Sequence, residues 1–240
     1  MLYLVGLGLD CKSISKEGME AVERAKKIYL EDYTVDFPYT FGQIQEVIQK
    51  KIHLANREKV ESLEIVDEAK KNNIVILIYG SPLSATTHIS LIQEAKRMKV
   101  KYKIIHGASI FDAIAETGLQ VYKFGKVTSM PAWKKSFTPT SFMKIVQENM
   151  SMNAHSLILT DIGLDIQDAI KELKVSAKEH EITLKKIIVC QSLGTGKGKI
   201  FYKTIQELEE FDNVRKPFCL IIPSKMHFVE KEALEMLSQK

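Results

Sequence analysis

Cysteine is scarce: Cys11, Cys190 and Cys219 are the only three in 240 residues, and they form no C-x-x-C pair. An odd, sparse set supports neither a disulfide framework nor a zinc site, and it suits a reducing cytoplasm. Apolar runs such as Ile74–Tyr79 fall far short of the ~20 residues that span a bilayer, so no membrane segment is expected. Met1–Leu9 has no basic region and no small-residue cleavage site; it reads as a first strand rather than a signal peptide. The six histidines show no H-x-x-x-H pairing and no G-x-S-x-G elbow occurs, so metal and covalent catalysis find no support. The net charge is only +4, with lysines and carboxylates interspersed, which argues against direct nucleic-acid binding. Internal repeats and low-complexity tails are absent as well.

What remains is an ordinary soluble composition, 45% apolar and 27% charged, long enough for one large domain or two of about 120 residues. Over the first ~120 residues apolar strand runs (Leu2–Val5, Ile28–Leu30, Ile52–Leu54, Ile74–Tyr79, Tyr102–Ile105) alternate with helical patterns, which predicts α/β with a mainly parallel sheet. The helices are expected over Ser15–Lys26, from the capping box Thr40-Phe41-Gly42-Gln43, from Asn56 through Lys71, over Thr87–Met98 with Ser84, Thr86 and Thr87 as available caps, and over Ser109–Thr117. Gly125–Pro139, with two prolines and the only tryptophan, marks a change of character, and the domains are set at 1–124 and 125–240. The second half reads as α/β too, with strands at Ser156–Thr160, Ile187–Cys190 and Phe218–Ile222 and mixed strand directions around Gly194–Tyr202.

Two glycine motifs fail on spacing. Gly6-Leu7-Gly8 begins a dinucleotide fingerprint, but its third glycine would be Cys11 and the following helix starts too late to hold a pyrophosphate. Gly194-Thr195-Gly196-Lys197-Gly198-Lys199 lacks the glycine and hydroxyl positions of a phosphate loop and reads as a tight turn between strands. His88 and His106 stand where they could face a site, though each reads more simply as structural. The surviving candidates are loops at strand ends: Gly6–Asp10, Gly80–Thr87, Gly107–Ile110, Thr160-Asp161 and Ser192–Thr195. Short, small-residue and weakly charged, they suit an uncharged aromatic ring with a zwitterionic tail better than a triphosphate.

Several stretches resemble one family. They are Tyr3-Leu-Val-Gly-Leu-Gly-Leu9, Ile14-Ser-Lys-Glu-Gly-Met-Glu-Ala21, Ile28-Tyr-Leu-Glu-Asp-Tyr-Thr34, Pro82-Leu-Ser-Ala-Thr-Thr-His88, Ile105-His-Gly-Ala-Ser-Ile110, Thr117-Gly-Leu-Gln-Val-Tyr-Lys-Phe-Gly125, Pro139-Thr-Ser141 and Met226-His-Phe-Val-Glu-Lys-Glu-Ala-Leu234. They are spread over nearly the whole chain and resemble the diphthine synthase branch of the tetrapyrrole-methylase-like, S-adenosylmethionine-dependent methyltransferases. The resemblance implies two α/β domains of the tetrapyrrole methylase type with a cofactor cleft between them, in a cytoplasmic homodimer. It implies S-adenosylmethionine as methyl donor and translation elongation factor 2 as protein substrate. The methyls go to the amine of the 3-amino-3-carboxypropyl group on a modified histidine, and eukaryotic relatives add one on its carboxylate. Carried over by position, the donor contacts are Leu9, Ser81, Ser84, Ser109, Ile110, Thr160, Leu193 and Phe218. No general base is named, though a nearby carboxylate such as Asp161 is one that could help. The chain departs from the family pattern where Gly80-Ser81-Pro82 replaces G-D-P, where Gln191–Thr195 replaces A-R-A-G-S, where Phe218 replaces a histidine, and where the run after Asp161 lacks M-T-x-N-E-A. A non-catalytic homologue that binds the elongation factor or a ligand, and a different methylase of the family, are the alternative readings.

Overall fold

Ile74, Ile76 and Ile78 join one apolar cluster and Val75 and Leu77 another, and all five are fully buried. A strand buried on both faces needs helices on both sides, and that requirement shapes the first half of the protein. The computed structural model describes residues 1–238. The chain divides into two units, Met1–Phe111 and Asp112–Lys240.

The first unit contains β1 (Leu2–Gly6), α1 (Lys16–Arg24), β2 (Lys27–Glu31), α2 (Phe41–Ile48), β3 (Ile52–Ala55), α3 (Arg57–Glu61), α4 (Glu64–Ala69), β4 (Ile74–Ile78), α5 (Ile89–Arg97) and β5 (Tyr102–Ile105). Its sheet has the order β3-β2-β4-β1-β5, and every pairing is parallel. One face packs on Val60, Ile65, Val66, Leu91 and Ala95 from α3, α4 and α5; the other packs on Ala21, Val22, Ile44 and Ile48 from α1 and α2. Each buried Ile or Leu side chain contributes roughly 1.5–3 kcal/mol, so this double-sided burial is the main support of the sheet. The expected capping box closes α2: Thr40 Oγ1 accepts from the Gln43 amide at 3.3 Å and Gln43 Oε1 accepts from the Thr40 amide at 2.9 Å.

The helix α6 (Ile110–Ala113) carries the chain across the division. The second unit continues with β6 (Thr128–Met130), α7 (Phe142–Ser151), β7 (Ser156–Thr160), α8 (Ile166–Glu179), β8 (Lys186–Gln191), β9 (Lys199–Thr204), α9 (Ile205–Glu209), β10 (Phe218–Ile222) and α10 (Phe228–Leu237). Its sheet runs β6-β7-β10-β8-β9, with β6 and β7 parallel and every other pair antiparallel, as the expected mixed directions require. Met130, Ile158, Val189 and Leu220 face Phe142, Val146, Ala169 and Leu173 of α7 and α8.

The structure revises several element boundaries. The charged helix expected from Asn56 through Lys71 is two helices, broken where Leu63 takes a left-handed conformation at φ 62°. The break seats Leu63 against the core and turns Ile65, Val66 and Ala69 inward, a tertiary gain that overrides local propensity. The hydroxyls expected to cap α5 do not; the helix starts at Ile89 with no side-chain cap, and Thr86 Oγ1 donates instead to the Pro82 carbonyl at 3.0 Å. The helix expected over Ser109–Thr117 is α6 followed by a 3-10 turn, Ile114–Thr117, which ends at Gly118 with φ +80°. The Gly125–Pro139 stretch contains β6, too short at three residues to stand out by alternation.

The T-G-L-Q-V-Y-K-F-G segment and the last helix meet in a buried knot within the second unit. Glu230, in the first turn of α10, is fully buried. It accepts from the Gln120 amide at 3.0 Å, from the His227 amide at 2.7 Å, from His155 Nε2 at 3.2 Å and from the Lys123 ammonium. His155 Nδ1 accepts from the Ser224 amide at 3.0 Å, so the ring proton sits on Nε2 and points at Glu230. Burial would raise the Glu230 carboxyl, but Lys123 and the other donors outweigh it and hold it at about 2. Burial pushes His155 down despite Glu230 beside it, and the ring is neutral at pH 7. Both shifts act in the same direction. Each group has a folded pKa below its unfolded one, so its stabilisation is present above the unfolded value and is lost on acidification. Thermal stability is therefore expected to fall first as pH drops below about 6.5, through His155, and again between about 4.5 and about 2, through Glu230. Glu230→Gln should cost about 3 kcal/mol at pH 7 and flatten the lower step. A variant within about 0.5 kcal/mol of the parent, with the same acid profile, would show that the knot does not hold the unit.

Candidate functional site

The carboxyl ends of β1, β4 and β5 lie side by side, because β1 sits between β4 and β5. The three loops that leave them therefore start as neighbours: Gly6–Asp10, Gly80–Thr87 and Gly107–Ile110. They interlock through backbone. Leu7 donates to the Ile78 carbonyl at 2.8 Å, and Gly8 and Gly80 exchange amide-to-carbonyl bonds of 3.1 and 2.9 Å. Side chains would prevent this crossing. A Cβ on Gly6 would fall 2.5 Å from the Gly80 oxygen and 2.6 Å from the Gly107 nitrogen; one on Gly107 would fall 2.6 Å from the Gly8 nitrogen. The glycine pair that fails as a dinucleotide fingerprint thus serves close packing of three strand-end loops.

The sequence-predicted contacts of this unit cluster around the crossing. Leu9 and Ser109 are buried, Ser81 is nearly so, and Ser84 and Ile110 are half-buried. Ser81 Oγ lies 3.2 Å from Nδ1 of the exposed His106, while the Ser84 amide donates to the Ser81 carbonyl at 3.1 Å and turns the loop. His88 is buried and structural: its Nδ1 is 3.2 Å from the Pro82 carbonyl, bracing the same loop from behind. Around the rim, burial pushes the Tyr39 hydroxyl far up, and burial with the neighbouring Asp10 raises the Cys11 thiol. Both therefore stay protonated and neutral at pH 7.

Sequence reasoning passed over two carboxylates that shape the loops. Glu31 ends β2 fully buried and accepts from the Tyr33 amide at 2.9 Å and Thr34 Oγ1 at 2.6 Å. Glu116, in the 3-10 turn of the second unit, accepts from the Gly194 amide at 3.0 Å. An acid directly after a short apolar strand was the available signal for Glu31; Glu116 has none, since its partner is 78 residues away.

Within the second unit, Thr160, Phe218 and Leu193 stand at one edge of the sheet. β7 and β8 end there and β10 begins there. Thr160 Oγ1 donates to the Phe218 carbonyl at 2.6 Å, and the Ser192 amide donates to Pro217 at 2.9 Å, which places Leu193 in the adjoining turn. Leu193 and Phe218 are buried and Thr160 is half-buried. Asp161 does not stand free as a base: Oδ2 accepts from the Ala132 amide at 3.2 Å and Oδ1 from its neighbour Ile162 at 2.9 Å. Among the described residues no three His, Cys, Asp or Glu side chains gather in a way that would hold a metal ion.

In each unit, then, the predicted contacts at the strand ends are small residues, hydroxyls, aliphatic or aromatic side chains and backbone polar groups. Such a set accommodates a neutral ring and a compact zwitterion. Comparison with known proteins bears on the class. Residues 1–209 match the model of the tetrapyrrole (corrin/porphyrin) methylases. A diphthine synthase of Methanocaldococcus jannaschii is 36% identical over 100% of this chain and 99% of its own, and one of Methanococcus vannielii is 35% identical over 99% and 98%. A crystal structure of diphthine synthase superposes with a TM-score of 0.90 at 29% identity, over 99% of this chain and 95% of that one. The chain belongs to the tetrapyrrole methylase family and, within it, to the branch that contains the diphthine synthases.

Proposed function

We propose that this chain is an S-adenosylmethionine-dependent methyltransferase of diphthamide biosynthesis. In this reading it methylates the amine of the 3-amino-3-carboxypropyl group on the modified histidine of translation elongation factor 2. The observation that carries the reading is the three-loop glycine crossing at adjacent parallel strand ends, in a chain alike over its full length to enzymes of that name. The enzyme class follows from the family. The donor, the protein substrate, a homodimeric state and a cytoplasmic location are part of the proposal.

The donor supplies an electrophilic methyl group on a sulfonium. The residues proposed to hold it are Leu9, Ser81, Ser84, Ser109 and Ile110 in the first unit and Thr160, Leu193 and Phe218 in the second. Their chemistry fits: hydroxyls and backbone groups for the polar ends, buried leucines and a phenylalanine for the ring. Transfer to a neutral amine requires position, exclusion of water and an unprotonated nucleophile. Buried aliphatic walls disfavour an ammonium, so the site lowers the amine's affinity for a proton without a dedicated base. Asp161, with both oxygens committed to backbone amides, is a brace rather than a proton acceptor in this scheme.

Incubating the chain with S-adenosylmethionine and elongation factor carrying the unmethylated group should add increments of about 14 Da, read by mass spectrometry; an increment removed by mild base would mark a methyl ester. No increment, with a porphyrinoid methylated instead, would refute the proposal in favour of another activity of the family. A second outcome concerns Ser81, whose hydroxyl contacts His106. Ser81→Asp restores a carboxylate at the loop and should tighten donor binding about tenfold by calorimetry, the gain of one charge-assisted hydrogen bond. Unchanged affinity would show that position 81 does not reach the donor.

A further inference from the structure

One edge of the second sheet gathers four segments. β6, β7 and β8 end there, and β9 and β10 begin there, so the connections 131–141, 161–165, 192–198 and 210–217 all emerge on that side. The first is a long connection with a built tip. Lys134 and Phe137 exchange two amide-to-carbonyl bonds of 2.9 Å, closing a two-residue hairpin around Lys135 and Ser136. Its root is anchored on three sides: the Ala132 amide to Asp161, the Trp133 amide to Glu172 Oε1 at 2.8 Å, and the Trp133 indole N–H to the Pro139 carbonyl at 3.2 Å. Glu172 is buried on α8 and burial pushes its carboxyl up. Holding an acid there is costly, and the return in the structure is a fixed hairpin.

The side chains of the tip, by contrast, point outward. Lys134, Lys135 and Ser136 are exposed, and Phe137 is 55% exposed. Along the same edge stand Lys199 at the start of β9 and Arg215 before β10, both exposed. None of Lys134, Lys135, Lys199 and Arg215 makes an ion pair among the described residues, whereas Lys216 beside them pairs with Asp165 at 3.1 Å. Lys134 and Lys135 beside the exposed Phe137, with further discrete cations spread along this side of the sheet to Arg215 before β10 and Lys199 on the opposite outer strand, suit an extended partner segment with carboxylates and an apolar side chain. A continuous phosphate backbone would call for a denser stripe. The candidate donor contacts Thr160 and Phe218 lie on this edge too.

We infer that this edge docks the protein substrate, with the Lys134–Phe137 hairpin, Lys199 and Arg215 engaging an acidic segment of it. The inference rests on the function proposed above. A rigid hairpin costs little ordering on binding, and unpaired lysines steer an acidic partner by long-range attraction. Lys134, Lys135 and Phe137 are in this sense docking residues, not catalytic ones.

The test uses the full chain, the unmethylated elongation factor and the double variant Lys134→Glu/Lys135→Glu. Methyl transfer is measured at saturating S-adenosylmethionine, and association of the two proteins is followed by fluorescence anisotropy. The double variant should raise KM for the protein substrate about tenfold or more, with kcat and donor affinity within about twofold of the parent. The difference should shrink when salt is raised to about 0.5 M. Phe137→Ala should raise KM about fivefold with little salt dependence. Because these side chains are exposed, unchanged melting confirms that each variant folds. A parent that methylates the substrate while the variants match its KM overturns the docking alone. So does a loss confined to binding of a generic RNA. A parent that neither binds nor methylates the elongation factor overturns the docking together with the function it rests on.

Discussion

The structure depends on a backbone crossing. Where Gly8 and Gly80 exchange hydrogen bonds, the chain leaving β1 is tied to the chain leaving β4, and Gly6 and Gly107 bring the β5 loop against both. Each such bond contributes about 1 kcal/mol, but the larger constraint is steric. With a Cβ 2.5 Å from a carbonyl oxygen the three loops would have to part, and the residues that follow them, Leu9, Ser81 and Ser109, would no longer share one place. The parallel sheet makes the crossing possible by placing β1 between β4 and β5. Burial of β4 on both faces in turn keeps the sheet from shifting beneath it.

The same logic of fixed loops recurs in the second unit, with different chemistry. There buried or committed acids hold the connections: Asp161 and Glu172 root the 131–141 segment, Glu116 secures the turn that carries Leu193, and Glu230 draws the 120–123 stretch, His155 and the last helix together. Each of these carboxylates holds a backbone amide of a connecting segment. That accords with a methyl transfer in which the chain positions and dries the reactants without a dedicated base.

Much of this was legible beforehand. Apolar runs marked β1, β4, β7 and β10 because buried strands carry a dense signal, and the Thr40 capping box marked the start of α2 because its chemistry is local. The strand-end loops were legible as candidate sites because parallel topology alone predicts where loops converge. What escaped was non-local. The break at Leu63 answers to core packing, β6 is too short to alternate, and the partners of Glu116, Glu172 and Glu230 lie tens of residues away. The Gly6-Leu7-Gly8 pair fails as a dinucleotide fingerprint, and nothing in its spacing says that the group approaching it is another loop of the same sheet.

The central claim, proposed above, is that the glycine crossing at the carboxyl ends of β1, β4 and β5 holds the methyl donor. Hydrogen exchange of the full chain, with and without saturating S-adenosylhomocysteine, tests it most directly, because bound ligand slows the opening of the amides it covers. The account predicts slowed exchange at residues 7–10, 80–84 and 107–110 and at 192–194, with the outward tip at 134–137 unchanged. Unaltered exchange in those loops, or protection confined to other segments, would contradict it.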